Sequence, residues 1–341
     1  MVKKTLLPVL LLLSGMQTHA QQQFKAIAIG FYNCENFFDT VDDPLKDDIE
    51  NTPSAAEYKQ KLHNMATVFQ KLGTEITPDG PAIIGLAEIE NDQVLRDVTA
   101  EPEIKSRNYK YVWFPTPDVR GISTAMLYNP KYFTVIGARP VHVPLETLGQ
   151  TRPTRDVLYV TGILAGDTVH ILVNHWPSKS GGEARSAPGR RLAASVDKKI
   201  FDSLTAENPN VKLLLMGDLN DNPTSEGVIE VLKAKAEKKE VGLTDIFNPW
   251  INLYKKGYGT ESYQGEWNLI DQIMVSGGFV KNNNDKWKYY KEEIFNKPFL
   301  INQFGKDKGL PHRSYTISHT WDNGFSDHFP VVMYFIEKTG K

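Results

Sequence analysis

The sequence predicts one domain built from β-strands and α-helices in mixed order. Short apolar runs that end at turn residues recur along the chain, which is typical of buried strands. Other stretches place apolar residues three and four positions apart, as amphipathic helices do. No internal repeat, low-complexity tract or linker divides the chain, so a second domain is not expected.

Residues 1–20 have the pattern of a secretory signal peptide. Two lysines near the start precede the largely apolar stretch 6–13, and the small residue Ala20 ends the segment. No later run approaches the roughly 18 apolar residues that a membrane-spanning helix needs. We therefore expect removal of this segment, a mature domain over 24–338, no integral membrane span, and a periplasmic or extracellular location.

Charge and cysteine content restrict the possible functions. The 341 residues include 39 Lys and Arg against 41 Asp and Glu. Removing Lys3 and Lys4 with the signal peptide leaves 37 against 41, a net charge of −4, which argues against a non-specific nucleic-acid coat protein. Cys34 is the only cysteine, so no intramolecular disulfide can form and stability must come from a large core. We expect a monomer.

The first half of the mature chain is predicted to be mostly strands. Residues 55–72 carry apolar side chains on one helical face, and Gly73 suits the end of that helix. Residues 178–191 combine glycines with basic side chains and are predicted to form a flexible loop. Strands are predicted over 25–32, 81–90, 109–114, 125–128, 133–136, 157–164 and 168–174.

The second half is predicted to start with a helix over 192–204, which has Leu, Val and Ile on one face. Another helix is expected over 225–237. Residues 281–320 are polar and aromatic, and we expect an irregular segment there. Strands are predicted over 211–216, 269–275 and 330–336.

Residues 211–223 form the central stretch of the sequence. The apolar run 211–216 predicts a strand buried on both faces, and Gly217 ends it. Asp218 and Asn220 follow two positions apart, so in an extended backbone both side chains would leave on the same side and hold a water or a phosphate oxygen. The alternative is an ordinary Asx turn, since Asp, Asn and Gly are common turn residues.

Polar side chains stand at the ends of several predicted strands. They are Asn33, Glu88, Asn174, His175, Asp218, Asn220, Asp271, Asp327 and His328. Each alone has a structural explanation, as a solvated loop acid or a half-buried histidine. Together they would cost free energy beside apolar runs unless they are paired or bind a metal. Carboxylates and amides suit a hard cation such as Mg²⁺ or Mn²⁺, and the absence of Cys/His clusters argues against a structural zinc site.

Several motifs, in this order, resemble the endonuclease/exonuclease/phosphatase superfamily, the deoxyribonuclease-I-like hydrolases. The motifs are Phe31-Tyr32-Asn33, Leu86-Ala87-Glu88-Ile89, Val173-Asn174-His175, Gly217-Asp218-Leu219-Asn220, Ile270-Asp271-Gln272-Ile273 and Ser326-Asp327-His328-Phe329-Pro330. The resemblance implies an α+β fold, an α/β sandwich of two packed mixed β-sheets flanked by helices. It places the site where the strand ends of the sheets meet, and it implies dependence on Mg²⁺ or Mn²⁺.

The same resemblance implies a role for each motif residue. The implied metal-binding residues are Glu88 as principal ligand, with Asn33 and Asp327. The implied catalytic residues are Asp218 and Asn220, which orient water and phosphate, His175 and His328, which flank the scissile phosphate, and Asp271, which orients the last histidine.

The basic stretch 178–191 follows the first of these histidines and would lie at the rim of the site. Its arginines and lysine suit phosphate, because guanidinium groups bind phosphate oxygens in pairs. The candidate phosphate-binding residues are Asn174, Lys179, Arg185 and Arg190, with Arg120 and Arg155 as weaker candidates. The alternative is a solvated charged loop that leads into a helix.

These observations lead to three functional hypotheses. The first is a secreted, divalent-metal-dependent phosphodiester hydrolase, an endonuclease-type nuclease. The second is a phosphatase or a sphingomyelinase-like phospholipase acting on small or lipid phosphoesters. The third, a catalytically silent binding module, is disfavoured because every polar position that the chemistry needs is filled. The acidic balance weighs against long nucleic acid, whereas the basic stretch favours a polyanion.

Overall fold

The computed structural model describes residues 23–46, 52–281, 286–316, 318 and 320–339, so the predicted signal peptide lies outside the described residues. The strands are β1 (Gln23–Phe37), β2 (Ile83–Ile89), β3 (Lys110–Trp113), β4 (Ser123–Tyr128), β5 (Phe133–Val141), β6 (Val157–Leu164), β7 (Asp167–His175), β8 (Lys212–Asp218), β9 (Ile246–Phe247), β10 (Glu261–Tyr263), β11 (Glu266–Asn268), β12 (Asp271–Ser276), β13 (Lys288–Ile294) and β14 (Val331–Thr339). The α-helices are α1 (Ala55–Lys71), α2 (Asp92–Ala100), α3 (Glu183–Glu207) and α4 (Trp250–Lys255).

The strands form two six-stranded sheets and a separate hairpin of β10 and β11. The order is β13-β14-β1-β2-β4-β3 in the first sheet and β5-β6-β7-β8-β12-β9 in the second. β1 runs parallel to β2 and β7 runs parallel to β8, whereas the other neighbours are antiparallel. The predicted sandwich of two packed mixed sheets with helices is confirmed.

The two sheets pack face to face through an apolar core. Phe31 of β1, Ile171 of β7 and Met216 of β8 are fully buried in it. Gly85 of β2 allows close approach of the sheets, because a Cβ at this position would lie 2.5 Å from the Met216 sulfur. Apolar burial stabilises a fold by about 25 cal/mol per Å², so an extensive core explains how the chain folds without disulfides.

Helices cover the outer faces of both sheets. Phe69 of α1 packs on the first sheet, and Phe201 of α3 packs on the second. α1 begins with a capping box at Ser54, and Gly73, with φ of 71°, follows its end as predicted. Among the described residues, no helix has both the length and the apolar character needed to cross a bilayer.

Two predictions for the second half of the chain are wrong. Residues 225–237 form only a short helical turn, Gly227–Val231, because Lys235 leaves the helical path and pairs with Phe247. The irregular segment expected over 281–320 contains β13, which pairs along β14. In both places backbone pairing with a distant strand overrides the local pattern.

The predicted flexible loop over 178–191 is helical from Glu183 onward. Gly182, with φ of 93°, precedes the first residue of α3. Arg190 is fully buried and bonds Asp221 at 2.6 Å and Glu183 at 2.5 Å. These tertiary contacts stabilise a helix in a stretch whose glycines and charges favour a loop.

Candidate active site

A cleft of about 1090 Å³ lies at the edge where strand ends from both sheets meet. The carboxyl ends of β7 and β8 lie beside the amino end of β12 in one sheet, and the carboxyl ends of β1 and β2 lie beside the amino end of β14 in the other. The predicted residues that line the cleft are Asn33, Glu88, Arg120, Arg155, His175, Arg185, Asp218, Asn220 and His328.

A hydrogen bond between the two sheets lies at the centre of the cleft. The Asn33 amide of β1 donates to Asp218 Oδ2 of β8 at 3.0 Å, and both residues are buried. The orientation of Asn33 is fixed because its Oδ1 accepts the Glu35 N–H at 2.9 Å. Burial raises the pKa of Asp218 to about 7, with a further increase from Asp271, although the charge of His328 lowers it. This carboxyl group can therefore take up a proton near neutral pH.

Asn220 does not continue the strand that ends at Asp218. It has φ of 49°, and its N–H donates to Asp218 Oδ1 at 2.9 Å. Its side-chain amide donates to the Trp176 carbonyl at 3.0 Å. The expectation of two side chains leaving an extended backbone is therefore wrong, and the Asx-turn alternative is correct. The turn nevertheless keeps both residues on the cleft.

Glu88 has a left-handed backbone conformation, with φ of 63°, which is uncommon outside glycine. Its Oε2 accepts the Asn36 N–H at 2.8 Å. Its Oε1 lies 3.9 Å from Arg120 Nη2 and 3.9 Å from His175 Nε2, beyond hydrogen-bond distance. One carboxylate oxygen thus remains open to a ligand, and unusual backbone conformations of this kind cluster at functional sites.

His328 is paired with a buried carboxylate. Its Nδ1 lies 2.7 Å from Oδ2 of Asp271, which is fully buried. Burial lowers the pKa of His328, but the Asp271 and Asp327 carboxylates raise it well above its ordinary value. The Ser326 hydroxyl holds the backbone here, since it donates to the Asn33 carbonyl at 2.7 Å and accepts the His328 N–H at 3.1 Å. The imidazole is therefore fixed and charged at neutral pH.

His175 faces the same cleft but is uncharged. Its Nε2 lies 3.5 Å from Asp218 Oδ2. Burial lowers its pKa well below the ordinary value, and the positive charges of Arg155 and Arg120 lower it further. The site thus holds a neutral and a charged histidine, an arrangement that separates the two groups' roles in proton chemistry.

Some predicted phosphate-binding residues are used inside the fold instead. Arg190 is fully buried against Asp221, and Asn174 is fully buried with its Oδ1 accepting the Trp176 indole N–H at 3.2 Å. Neither residue lines the cleft. The predicted phosphate-binding roles of Arg190 and Asn174 are therefore wrong.

Lys179 and Asp327 lie near the cleft without lining it. Lys179 is exposed, and its Nζ lies 3.9 Å from Glu183 Oε2. Asp327 pairs with Arg313 at 3.2 Å and has an oxygen 3.8 Å from His328 Nε2. The metal-binding role of Asp327 stays a prediction.

Sequence reasoning missed Lys61, a buried lysine of α1 that holds the site together. Its ammonium group donates to the carbonyls of Glu35 at 3.1 Å and Phe325 at 3.0 Å, and it bonds the Ser314 hydroxyl. It thereby joins β1 to the segment that carries the last histidine. The available signal was a lysine within the apolar face of a predicted helix.

Asp118 was also missed. Its carboxylate pairs with Arg155 Nη1 at 3.2 Å and accepts the Arg120 backbone N–H at 2.9 Å. One acid therefore holds two cationic residues on one wall of the cleft. Its sequence context is that of an ordinary turn aspartate, so no local signal distinguished it.

Comparison with known proteins identifies the family. The model of the Endonuclease/Exonuclease/phosphatase family matches residues 28–338. No curated protein matches the sequence.

Solved structures share the fold at low sequence identity. Truncated TDP2 from Caenorhabditis elegans is 17% identical, with a TM-score of 0.52, covering 91% of this chain and 97% of that one. TDP2 from D. rerio, solved with a single-strand DNA product, is 11% identical, with a TM-score of 0.53, covering 91% and 98%. A mannosyl-6-phosphatase from Bacteroides thetaiotaomicron is 15% identical, with a TM-score of 0.52, covering 92% and 100%. The family match over nearly the whole described fold, together with the cleft at the sheet edge, leads to one conclusion: this chain belongs to the endonuclease/exonuclease/phosphatase family and is a phosphoester hydrolase.

Proposed function

We propose that the protein hydrolyses a phosphoester bond by attack of water, with Mg²⁺ or Mn²⁺ bound in the cleft. The observation that carries this proposal is the convergence of five groups on one cleft. They are the Asn33–Asp218 pair, Glu88, and two histidines, one neutral and one positively charged. Phosphoryl transfer needs an oriented nucleophile and positive charge beside the phosphoryl oxygens. These side chains supply both.

The donor set fits a hard divalent cation. Glu88 Oε1 accepts no hydrogen bond from a described residue. Asn33 Oδ1 accepts the Glu35 N–H at 2.9 Å and keeps a second lone pair for a ligand. Carboxylate and amide oxygens are the ligands that Mg²⁺ and Mn²⁺ prefer. Asp218, Asp271 and His328 also bring ligand atoms within 4.8 Å of one another, but the last two already bond each other. We therefore assign the cation to Glu88 and Asn33, where it would neutralise charge on the phosphoryl oxygens.

In this proposal Asp218 accepts the proton of the attacking water. A general base works best when its pKa is near the working pH, and burial raises the pKa of Asp218 to about 7. Both of its oxygens are held, one by the Asn33 amide and the other by the Asn220 N–H. The carboxylate is therefore oriented before substrate binds.

The two histidines take different roles. His328, kept protonated by Asp271, places positive charge beside the phosphate and can give a proton to the leaving oxygen. His175 is neutral and positions a phosphoryl oxygen or the water through Nε2. Asp271 acts through His328, as a positioning residue.

Two substrate classes are compatible with this chemistry. A nuclease is supported by the shared fold of D. rerio TDP2, which was solved with single-strand DNA, and by the arginines of the cleft. A phosphatase for small esters is supported by the shared fold of the mannosyl-6-phosphatase. We also propose that the chain acts outside the cytoplasm after loss of residues 1–20, which the signal-peptide pattern supports. We propose further that it acts as a monomer.

The test uses mature protein from Gln21 onward, stripped of metal by a chelator. Plasmid DNA, bis-p-nitrophenyl phosphate and p-nitrophenyl phosphate are then supplied with Mg²⁺ or Mn²⁺. We expect metal to restore cleavage of at least one substrate, and Asp218→Asn to lower kcat by roughly 10²- to 10⁴-fold. The matched control is Asp202→Asn, which replaces an exposed acid of α3 and should keep activity. If the folded, metal-loaded protein cleaves none of the three substrates, the proposal is contradicted.

A further inference from the structure

We infer that one wall of the cleft is a second anion-binding subsite, so that the preferred substrate is a compact, polar phosphoester carrying a further phosphate. This inference rests on the hydrolase function proposed above. The wall comprises the β3–β4 loop, the segment before β6 and the first turn of α3. We call it the arginine wall, and its cationic residues are Arg120, Arg152, Arg155 and Arg185.

Arg155 is a rigid part of the arginine wall. Its side chain is 6% exposed, and it bonds Asp118 at 3.2 Å and the Trp176 carbonyl at 2.8 Å. Its Nε is also buried and has no hydrogen-bond partner among the described residues. The hydroxyl of neighbouring Thr154, which is 3% exposed, is also buried without a partner, and both residues line the cleft. Buried donors are normally satisfied, so these two groups leave unused hydrogen-bonding capacity that an anion on this wall would take up.

Arg120 and Arg185 supply accessible positive charge beside this rigid part. Within the described chain, neither guanidinium donates a hydrogen bond, and the nearest carboxylate oxygen to Arg120 is Glu88 Oε1 at 3.9 Å. The backbone of Arg120 is nonetheless fixed, because its N–H donates to Asp118. Two cations therefore point at the same space as the catalytic groups, with their hydrogen-bonding capacity unused.

Among the described residues, Arg120 and Arg185 have no acid of the arginine wall left to balance their charge. Asp118 is the acid of this wall, and it is already paired with Arg155. Glu183, close to Arg185 in sequence, is bonded to Arg190. The other acids lining the described cleft are Glu88 and Asp218, which belong to the proposed metal-binding and catalytic groups. After burial, the charges of Arg155 and Arg120 also lower the pKa of His175, so the wall lies close enough to act on a catalytic group of the cleft.

The remaining lining residues indicate the shape of the substrate. Among the described residues, no Phe, Tyr or Trp side chain lines the cleft. Proteins that bind single-stranded nucleic acid usually stack its bases on such rings. The cleft volume, about 1090 Å³, is close to the roughly 300–1,000 Å³ typical of small-molecule sites. A polar molecule with two phosphates matches this cleft better than a stacked base or an extended strand.

The test compares a sugar bisphosphate with its monophosphate. Phosphate release from fructose 1,6-bisphosphate and from fructose 6-phosphate is measured with the Mg²⁺-loaded mature protein. We expect kcat/KM to favour the bisphosphate at least ten-fold, which corresponds to about 1.4 kcal/mol. Arg120→Gln and Arg185→Gln should each remove most of this preference. Arg191→Gln, on the same helix but paired with Glu226 away from the cleft, should retain it.

Failure of this inference is distinguishable from failure of the hydrolase proposal. Equal kcat/KM for the two sugars, or a preference that survives in both arginine variants, would overturn the subsite and leave the hydrolase intact. Plasmid cleavage without phosphate release from either sugar would also overturn the subsite, and it would indicate a nuclease.

If no ester is hydrolysed at all, the hydrolase proposal fails and the subsite is decided by binding. Both sugars are then titrated calorimetrically into the folded Asp218→Asn variant with Mg²⁺. Bisphosphate binding that is at least ten-fold tighter, and is lost on adding Arg185→Gln, retains the subsite. Equal binding of the two sugars refutes it.

Discussion

Replacing Asp271 by asparagine removes the charge of the His328 pair and keeps the shape of the side chain. Asp271 Oδ2 lies 2.7 Å from His328 Nδ1, and the two side chains are 0% and 8% exposed. A hydrogen bond to a charged group contributes about 1.5–3 kcal/mol. If that energy is used in the transition state, Asp271→Asn lowers kcat by roughly 10- to 150-fold, at about 1.4 kcal/mol for each factor of ten.

The same substitution should change the pH dependence. Burial lowers the pKa of His328, and Asp271 is the first of the carboxylates that raise it above its ordinary value. Without this carboxylate the pKa of His328 falls, so the alkaline limb of kcat moves to lower pH. The pair's contribution to stability has the same sign: it is complete below the ordinary histidine pKa and is lost as pH rises through the raised pKa of the folded state.

The assay is kcat for bis-p-nitrophenyl phosphate at saturating Mn²⁺, measured across the pH range in which the protein stays folded by circular dichroism. Asp197→Asn is the matched control, because Asp197 is a buried acid that accepts the Trp176 indole N–H at 3.2 Å and does not line the cleft. We expect the control to keep wild-type kcat. A folded Asp271→Asn variant with unchanged kcat and an unchanged alkaline limb would refute the role of the pair.

Three further predictions concern groups around the cleft. Glu88→Gln should weaken Mn²⁺ binding by about ten-fold or more in calorimetric titration, since a metal site depends on its ligands; equally tight binding would move the cation elsewhere. Lys61→Met should lower the free energy of unfolding in urea by about 3–5 kcal/mol, because a buried network loses its central donor; an unchanged midpoint would contradict this. Burial raises the pKa of Asp197 to about 8, so the folded state keeps a proton that the unfolded chain releases above about pH 4. Stability should therefore fall as pH rises from about 4 to 8, and the Tm of Asp197→Asn should lack this component of the decrease.

The sequence alone was sufficient for the fold class and for the centre of the site. Apolar runs that end at turn residues mark buried strands, and a polar residue at such an end is a local feature that can be recognised without the fold. Glu88, Asp218 and His328 were found in this way, within motifs that resemble a known family. The two sheets then bring these strand ends to one edge, as the family resemblance implies.

Tertiary structure alone decided what the basic and titratable side chains do. Arg185 and Arg190 belong to one basic stretch, yet the first lines the cleft and the second is buried against Asp221. His175 and His328 are the same residue type at similar strand ends, yet the first is neutral and the second is positively charged. The physical reason is that burial and partner identity depend on contacts between segments far apart in sequence, and no local pattern encodes those contacts.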